Sequence, residues 1–183
     1  MNKIHIFLFL RICLLACISL FSVGCNPVIR HYCLAKVFPP SVVKIGDDMV
    51  DAKLLDIDGN KVSLSDFMSN NYLLLNFGGG CGIFVSSLPE MREVSEINHE
   101  NLTLVIIYID LKNRWEEAVD KYNMPGVNLY DPKTVRGLAY KYSCDFGIPY
   151  YVIISPEGKI IDRWFGFSEG IIKNKVSEYV QQQ

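Results

Sequence analysis

The sequence predicts an α/β fold in which one central mixed β-sheet is flanked by helices and preceded by a β-hairpin. Two short, continuous apolar runs, Tyr72-Leu-Leu-Leu-Asn-Phe77 and Leu102 through Asp110, have the pattern of strands buried on both faces of a sheet. Apolar residues between and after these runs recur at helical spacing, so strands alternate with helices and the layer architecture follows. Two further apolar runs near the C-terminus embrace a Pro-Glu-Gly turn, which reads as an antiparallel hairpin and makes the sheet mixed.

Taken in order, Val50–Ile57 and Lys61–Leu64 flank Asp58-Gly59-Asn60, where glycine accepts the positive φ of a tight turn, and form the first hairpin. After the strand at 72–77, Phe84, Leu88, Met91, Val94 and Ile97 mark the buried face of a helix, with Pro89 inside it and a kink expected there. The strand at 102–110 follows. Trp115, Ala118, Val119 and Tyr122 then trace a second helix, stopped by Pro125-Gly126. A strand leads to a third helix with the face Val135, Leu138, Ala139 and Tyr142, opened by Asp131-Pro132 as cap and first turn. The closing hairpin comprises Pro149–Ser155, the turn Pro156-Glu-Gly158 and Lys159–Phe165, and Ser168 is placed to cap a last helix. Trp115 and Trp164 fall at periodic apolar positions and are expected in the core.

The 183 residues suffice for one globular domain plus a terminal extension. A net charge of -2, with basic and acidic residues interspersed, leaves no electrostatic footprint for nucleic acid. The first 24 residues stand apart: Lys3 and Arg11 precede an apolar stretch with no acidic residue, the layout of a secretory signal. The break at Ser22-Val-Gly-Cys25 resembles the lipobox of bacterial lipoproteins, with Ser22 where that motif has leucine. The resemblance implies that Cys25 is acylated and becomes the new N-terminus, a lipid anchor at the periplasmic or other extracytoplasmic face of a membrane. The alternative is a signal anchor over 4–24, which would have to hold Arg11 in hydrocarbon. The expected organisation is a signal at 1–24, a Pro-containing tether at 25–42 and a domain at 43–183.

Such compartments permit disulfides. Removing the signal deletes Cys13 and Cys17, and acylation of Cys25 leaves Cys33, Cys81 and Cys144, an odd number in which at least one thiol stays unpaired within the chain. Cys81 is the candidate nucleophile. It follows a buried strand and Gly78-Gly79-Gly80 and opens the next helix, where backbone amides and the helix dipole stabilise a thiolate. The competing account is a small buried hydrophobe. The glycines are not a phosphate loop, because no Gly-Lys-Ser/Thr follows them. No histidine has metal-ligand spacing to a cysteine, so neither a metal nor another cofactor is called for.

Val43-Lys-Ile-Gly46, the hairpin at 55–64, Leu73–Phe77, Cys81, Leu88-Pro-Glu90, Tyr130-Asp-Pro132, Gly147-Ile-Pro149 and Ser155–Lys159 together resemble the thioredoxin-like TlpA/ResA family and, more broadly, redoxins of the AhpC/TSA type. That resemblance spans nearly all of 43–183 and implies a thioredoxin-like fold. It also implies that Pro149 forms the cis-proline loop facing Cys81, so that Ile148, Pro149, Gly80 and Phe84 line a substrate-binding site; the alternative is an ordinary trans proline opening a strand. The departures from the family are specific. Gly80 replaces a tryptophan before the cysteine, and Phe84 replaces the second cysteine, leaving a degenerate Cys-x-x-Phe site with no local resolving thiol. Asn76 stands where thioredoxins keep a buried carboxylate, and Ser87 where ResA-like proteins place a glutamate. Cys144 is the candidate resolver, though helix-end packing or pairing with Cys33 explains it equally well. The expected function is extracytoplasmic thiol-disulfide exchange by Cys81 alone, on protein disulfides or thiols and with an external thiol reductant. The alternatives are a one-cysteine peroxidase cycling through sulfenic acid and a non-catalytic module that binds peptides or proteins.

Overall fold

The computed structural model describes residues 43–142, 144 and 147–180. The expected signal, tether, Cys25 and Cys33 lie outside the described residues. Seven strands form one sheet in the order β2-β1-β5-β4-β3-β6-β7. They are β1 (Lys53–Leu55), β2 (Lys61–Ser63), β3 (Tyr72–Gly78), β4 (Leu102–Tyr108), β5 (Val127–Tyr130), β6 (Tyr150–Ile154) and β7 (Ile160–Phe165). The helices are α1 (Gly82–Ile97), α2 (Lys112–Tyr122), α3 (Leu138–Lys141) and α4 (Ile171–Val180). Strands β3, β4 and β5 run parallel, while β1, β2, β6 and β7 pair antiparallel at the two sides, so the sheet is mixed as expected.

The apolar runs become the centre of the sheet because residues alternate between its faces and both faces are covered. Leu74, Leu104, Ile106, Tyr151 and Ile153 pack beneath α1, α2 and α4, with Phe84, Leu88, Met91, Trp115, Ile172 and Val176 opposite them. Leu73, Leu75, Phe77, Val105, Ile107, Val152 and Ile154 face the other layer, built from Val43, Leu54, Leu64 and the short α3. Asp58-Gly59 makes the first turn with Gly59 at φ +83°, and the Asp56 carboxylate accepts from the Asn60 backbone and side-chain amides at 2.8 and 3.0 Å.

Several expectations are corrected. The third helix is not continuous from 135 to 142: a 3-10 turn at Thr134–Arg136 precedes α3, and Val135 is exposed. The break arises because Asp131 reaches into the segment and accepts from Lys133 N–H at 2.9 Å and Leu138 N–H at 2.6 Å. Its carboxylate passes so close to Gly137 that a Cβ there would lie 2.0 Å from Oδ2. Helix α2 ends at Asn123, which takes the left-handed conformation at φ +45°, before Pro125-Gly126 is reached. Ile97, expected on the buried face of α1, is exposed at the helix end. Pro89 is accommodated inside α1, on its exposed side.

The cap at the start of α4 comes from elsewhere than Ser168. Glu90, buried on α1, accepts from Gly170 N–H and Lys173 N–H at 2.9 Å each, satisfying two backbone donors at the mouth of α4 and locking that helix to α1. Glu90→Ala is therefore expected to cost about 2 kcal/mol of unfolding free energy in urea denaturation, more than removal of an exposed carboxylate on the same helix such as Glu93.

Candidate active site around Cys81

Strand β3 delivers the chain to the site. Its pairing with β6 runs from Leu73↔Ile154 to Phe77↔Tyr150, so Pro149 lies one residue beyond the last paired position and turns across the end of β3. The Ile148–Pro149 peptide bond is cis. The glycines at the end of β3 permit close approach. A Cβ on Gly78 would sit 2.3 Å from the Phe84 ring, and one on Gly79 would sit 2.7 Å from Ile148 Cδ1.

Cys81 is the N-cap of α1, with φ -86° and ψ 148°, and its carbonyl accepts from Val85 N–H at 3.2 Å. Its side chain is partly exposed and carries a free thiol. The S–H donates to the Ile148 carbonyl, with Sγ 3.7 Å from that oxygen. The sulfur therefore stands at the positive end of a 16-residue helix and against the cis-proline turn, open to solvent.

Of the other residues expected at the site, Ile148 and Pro149 lie beside Cys81, and Gly80 is exposed next to it. Phe84 is one turn into α1 but 1 % exposed, edge-on to Tyr108 with centroids 6.4 Å apart, so it forms the floor and not the surface. Cys144 is not joined to Cys81. It packs in the layer with Tyr142 and Phe77, whereas Cys81 packs with the layer on the opposite face of the sheet.

Asn76, Tyr151 and Ser87 are the uncharged polar side chains buried below the site, and the buried Glu90 carboxylate, held by α4, is close enough to act on Tyr151. Asn76 is fully enclosed, and neither atom of its amide has a hydrogen-bond partner among the described residues. Tyr151 lies directly across the ladder from Asn76 and stacks on Trp164 with centroids 4.9 Å apart. Its hydroxyl lies near Ser87 but makes no well-formed hydrogen bond, and burial pushes it well above the ordinary 10.0. Ser87 donates to the Phe84 carbonyl at 2.7 Å.

Sequence reasoning missed the wall on the α2 side. A cleft of about 240 Å³ opens beside Gly79 and Gly80, lined by Phe84, Tyr108, Ala118 and Tyr122, with Arg114, Glu117 and Lys121 at its rim. Burial first, and then the Asp110 carboxylate, push the Tyr108 hydroxyl up, so it stays a neutral donor. The i, i+3, i+4 pattern of α2 signalled a buried face but not that part of it borders an opening. Three large apolar side chains are exposed at this same end of the sheet: Ile83 after Cys81, Leu111 after β4, and Phe165 at the end of β7.

The sheet order, the helix opened by a cysteine at the end of a central strand and the facing cis-proline define a thioredoxin-like fold. The AhpC/TSA family model matches residues 45–163, and the chain belongs to that family. Solved structures agree in architecture. The thioredoxin domain of a thiol-disulfide oxidoreductase from Bacteroides vulgatus superposes with a TM-score of 0.66 at 21 % identity, covering 75 % of this chain and 99 % of that one. A thiol-disulfide oxidoreductase from Bacteroides fragilis gives 0.64 at 24 % identity, covering 72 % and 98 %. Peroxidoxin BcpB of Mycobacterium tuberculosis gives 0.63 at 18 % identity, covering 76 % and 97 %. At these identities the likeness is one of fold. No curated protein matches the sequence.

Tyr151 yields a pH test. Its folded-state value is raised, so below pH 10 both states keep the proton, and above pH 10 the unfolded chain loses it first. Its contribution therefore erodes as pH rises through that window, by about 1.4 kcal/mol per pH unit. Tyr151→Phe should be near neutral at pH 7 and should flatten the fall in stability above pH 10 by that amount, measured by urea denaturation between pH 7 and 11.

Proposed function

We propose that this chain is an extracytoplasmic thioredoxin-like thiol-disulfide oxidoreductase that uses one cysteine, Cys81, and is held at the membrane through a lipid on Cys25. The observation that carries this is the position of Cys81 Sγ, at the mouth of α1 and 3.7 Å from the Ile148 carbonyl of the cis-proline turn. The start of α1 leaves the sulfur reachable, and the turn holds the backbone against which a substrate strand can lie. The exposed Ile83, Leu111 and Phe165 around it suit a polypeptide substrate.

In the proposed cycle the Cys81 thiolate attacks one sulfur of a protein disulfide. A Cys81–substrate disulfide forms, and the other substrate sulfur leaves as a thiolate that takes a proton from water. With Phe84 where a resolving cysteine would stand, release falls to an external thiol. Its thiolate attacks the Cys81 sulfur, forming a Cys81–reductant disulfide as the substrate sulfur leaves as a thiolate, and a second reductant thiolate then expels Cys81; or it attacks the substrate sulfur and expels Cys81 directly. The second route regenerates Cys81 in one step, and the substrate-bound reductant leaves by a further exchange.

Phe84, buried at the resolving position, and the hydrogen bond from the Cys81 S–H to Ile148 also favour a second reading, a peptide-binding module without turnover. Cysteine variants of the full chain in detergent separate the two. With a model protein disulfide and a thiol reductant, Cys81→Ser should abolish turnover, whereas Cys144→Ser should retain it within about twofold. Loss of turnover in Cys144→Ser would make Cys144 the resolver and end the one-cysteine mechanism. Wild-type binding of substrate with no turnover would leave the module.

A further inference from the structure

Gly80 is a glycine for which the backbone gives no reason. Unlike Gly147 and Gly158, it has no left-handed φ. Unlike Gly78 and Gly79, it is not crowded: a Cβ there would lie 3.5 Å from the Tyr108 hydroxyl and 3.7 Å from Asp110 Oδ2, ordinary contact distances. What the missing side chain leaves is space. Beside Gly80 lies the cleft between α1, the end of β4 and α2, and one residue further is the sulfur of Cys81.

The walls indicate what fits. Phe84 and Tyr108, both nearly fully buried, floor the space, the half-buried Tyr122 ring borders it, and Ala118 closes it from α2 without filling it. At about 240 Å³ the cleft is smaller than the roughly 300–1,000 Å³ pockets that hold drug-sized molecules, and it matches a single side chain. Its rim has no net charge. Arg114 pairs with Asp110 at 3.1 Å, and Lys121 lies over the Tyr122 ring and is offset by Glu117. A charged side chain entering would lose hydration with no net Coulomb gain, whereas an uncharged ring would lie beside Tyr122 over the aromatic floor.

We propose that this cleft is a specificity pocket for the aromatic side chain of a residue flanking the reactive cysteine of a polypeptide substrate. The inference rests on Cys81 attacking protein disulfides and names the substrate class for that site. Gly80 is the determinant that opens the pocket, and Ala118 sets its depth. The polypeptide source follows from the surroundings, since Ile83, Leu111 and Phe165 offer apolar surface beyond the cleft that a small aromatic disulfide would leave uncovered.

The chemical step is exchange alone. The Cys81 thiolate displaces 5-thio-2-nitrobenzoate from a peptide cysteine activated as the mixed disulfide; the Cys81–peptide disulfide forms as the coloured thiolate leaves, with no further oxidant or reductant.

The test uses the full chain in detergent with two such peptides, identical except for Phe or Ala beside the cysteine. Adduct at Cys81 is followed by mass mapping, with Cys81→Ser as blank. The wild-type protein should react about tenfold faster with the Phe peptide than with the Ala peptide. Gly80→Trp should bring that ratio to within about twofold of unity, and Ala118→Leu should do the same from the opposite wall. The ratio within each protein is the readout, so a change in the reactivity of Cys81 itself cancels, and circular dichroism selects whichever variant folds.

Equal wild-type rates for the two peptides, with Cys81 labelled by 5,5′-dithiobis(2-nitrobenzoate), would overturn the pocket and leave the exchange activity standing. A tenfold ratio retained in a folded filled variant would also overturn it. Failure of Cys81 to react with the small disulfide would overturn the exchange activity and the pocket together.

Discussion

The antiparallel pairing of β3 with β6 is the constraint on which the site depends. It fixes Phe77 opposite Tyr150 and thereby holds the Ile148–Pro149 turn over the point where β3 gives way to α1. The ladder is fully buried from Leu73 to Phe77 and from Tyr150 to Ile154, so a slip of one residue would send Leu74 and Asn76 to the wrong layer. Register is thus set by the core, through five buried residue pairs, and the distance from Cys81 to the turn is its consequence.

The three glycines before Cys81 then divide the labour. Gly78 lets the Phe84 ring press against the strand end, which anchors the first turn of α1, and Gly79 lets Ile148 approach. Gly80 does neither. Below them the Asn76 amide, the Tyr151 hydroxyl and Ser87 are all enclosed, and the buried Glu90 carboxylate is taken up by two backbone N–H groups at the start of α4.

Much of the fold was legible in the sequence because its signals are local. Leu73–Phe77 and Leu102–Tyr108 are apolar on both faces, Asp58-Gly59 can only turn, and Cys81 follows a strand and opens a helix. The cis bond at Pro149 was legible only through family resemblance, since a proline before an apolar strand is locally compatible with either isomer. What the sequence concealed depends on residues far apart in the chain. Glu90 caps a helix that starts 80 residues later, and no local pattern reveals that partner. The third helix reads as continuous until Asp131 folds back onto Leu138 and demands a glycine at 137. The cleft joins Gly80, expected at the site, to Tyr108 and Ala118, which read only as strand and helix core.

The proposed chemistry requires a reachable Cys81 sulfur at the mouth of α1. The most direct measurement is the rate at which iodoacetamide alkylates Cys81 at pH 7 in the folded protein, set against the same cysteine in the urea-unfolded chain. A folded-state rate within about tenfold of the unfolded one is expected, because the side chain is partly exposed at the start of α1. Protection by tenfold or more on folding would contradict it and return Cys81 to the role of a packing residue.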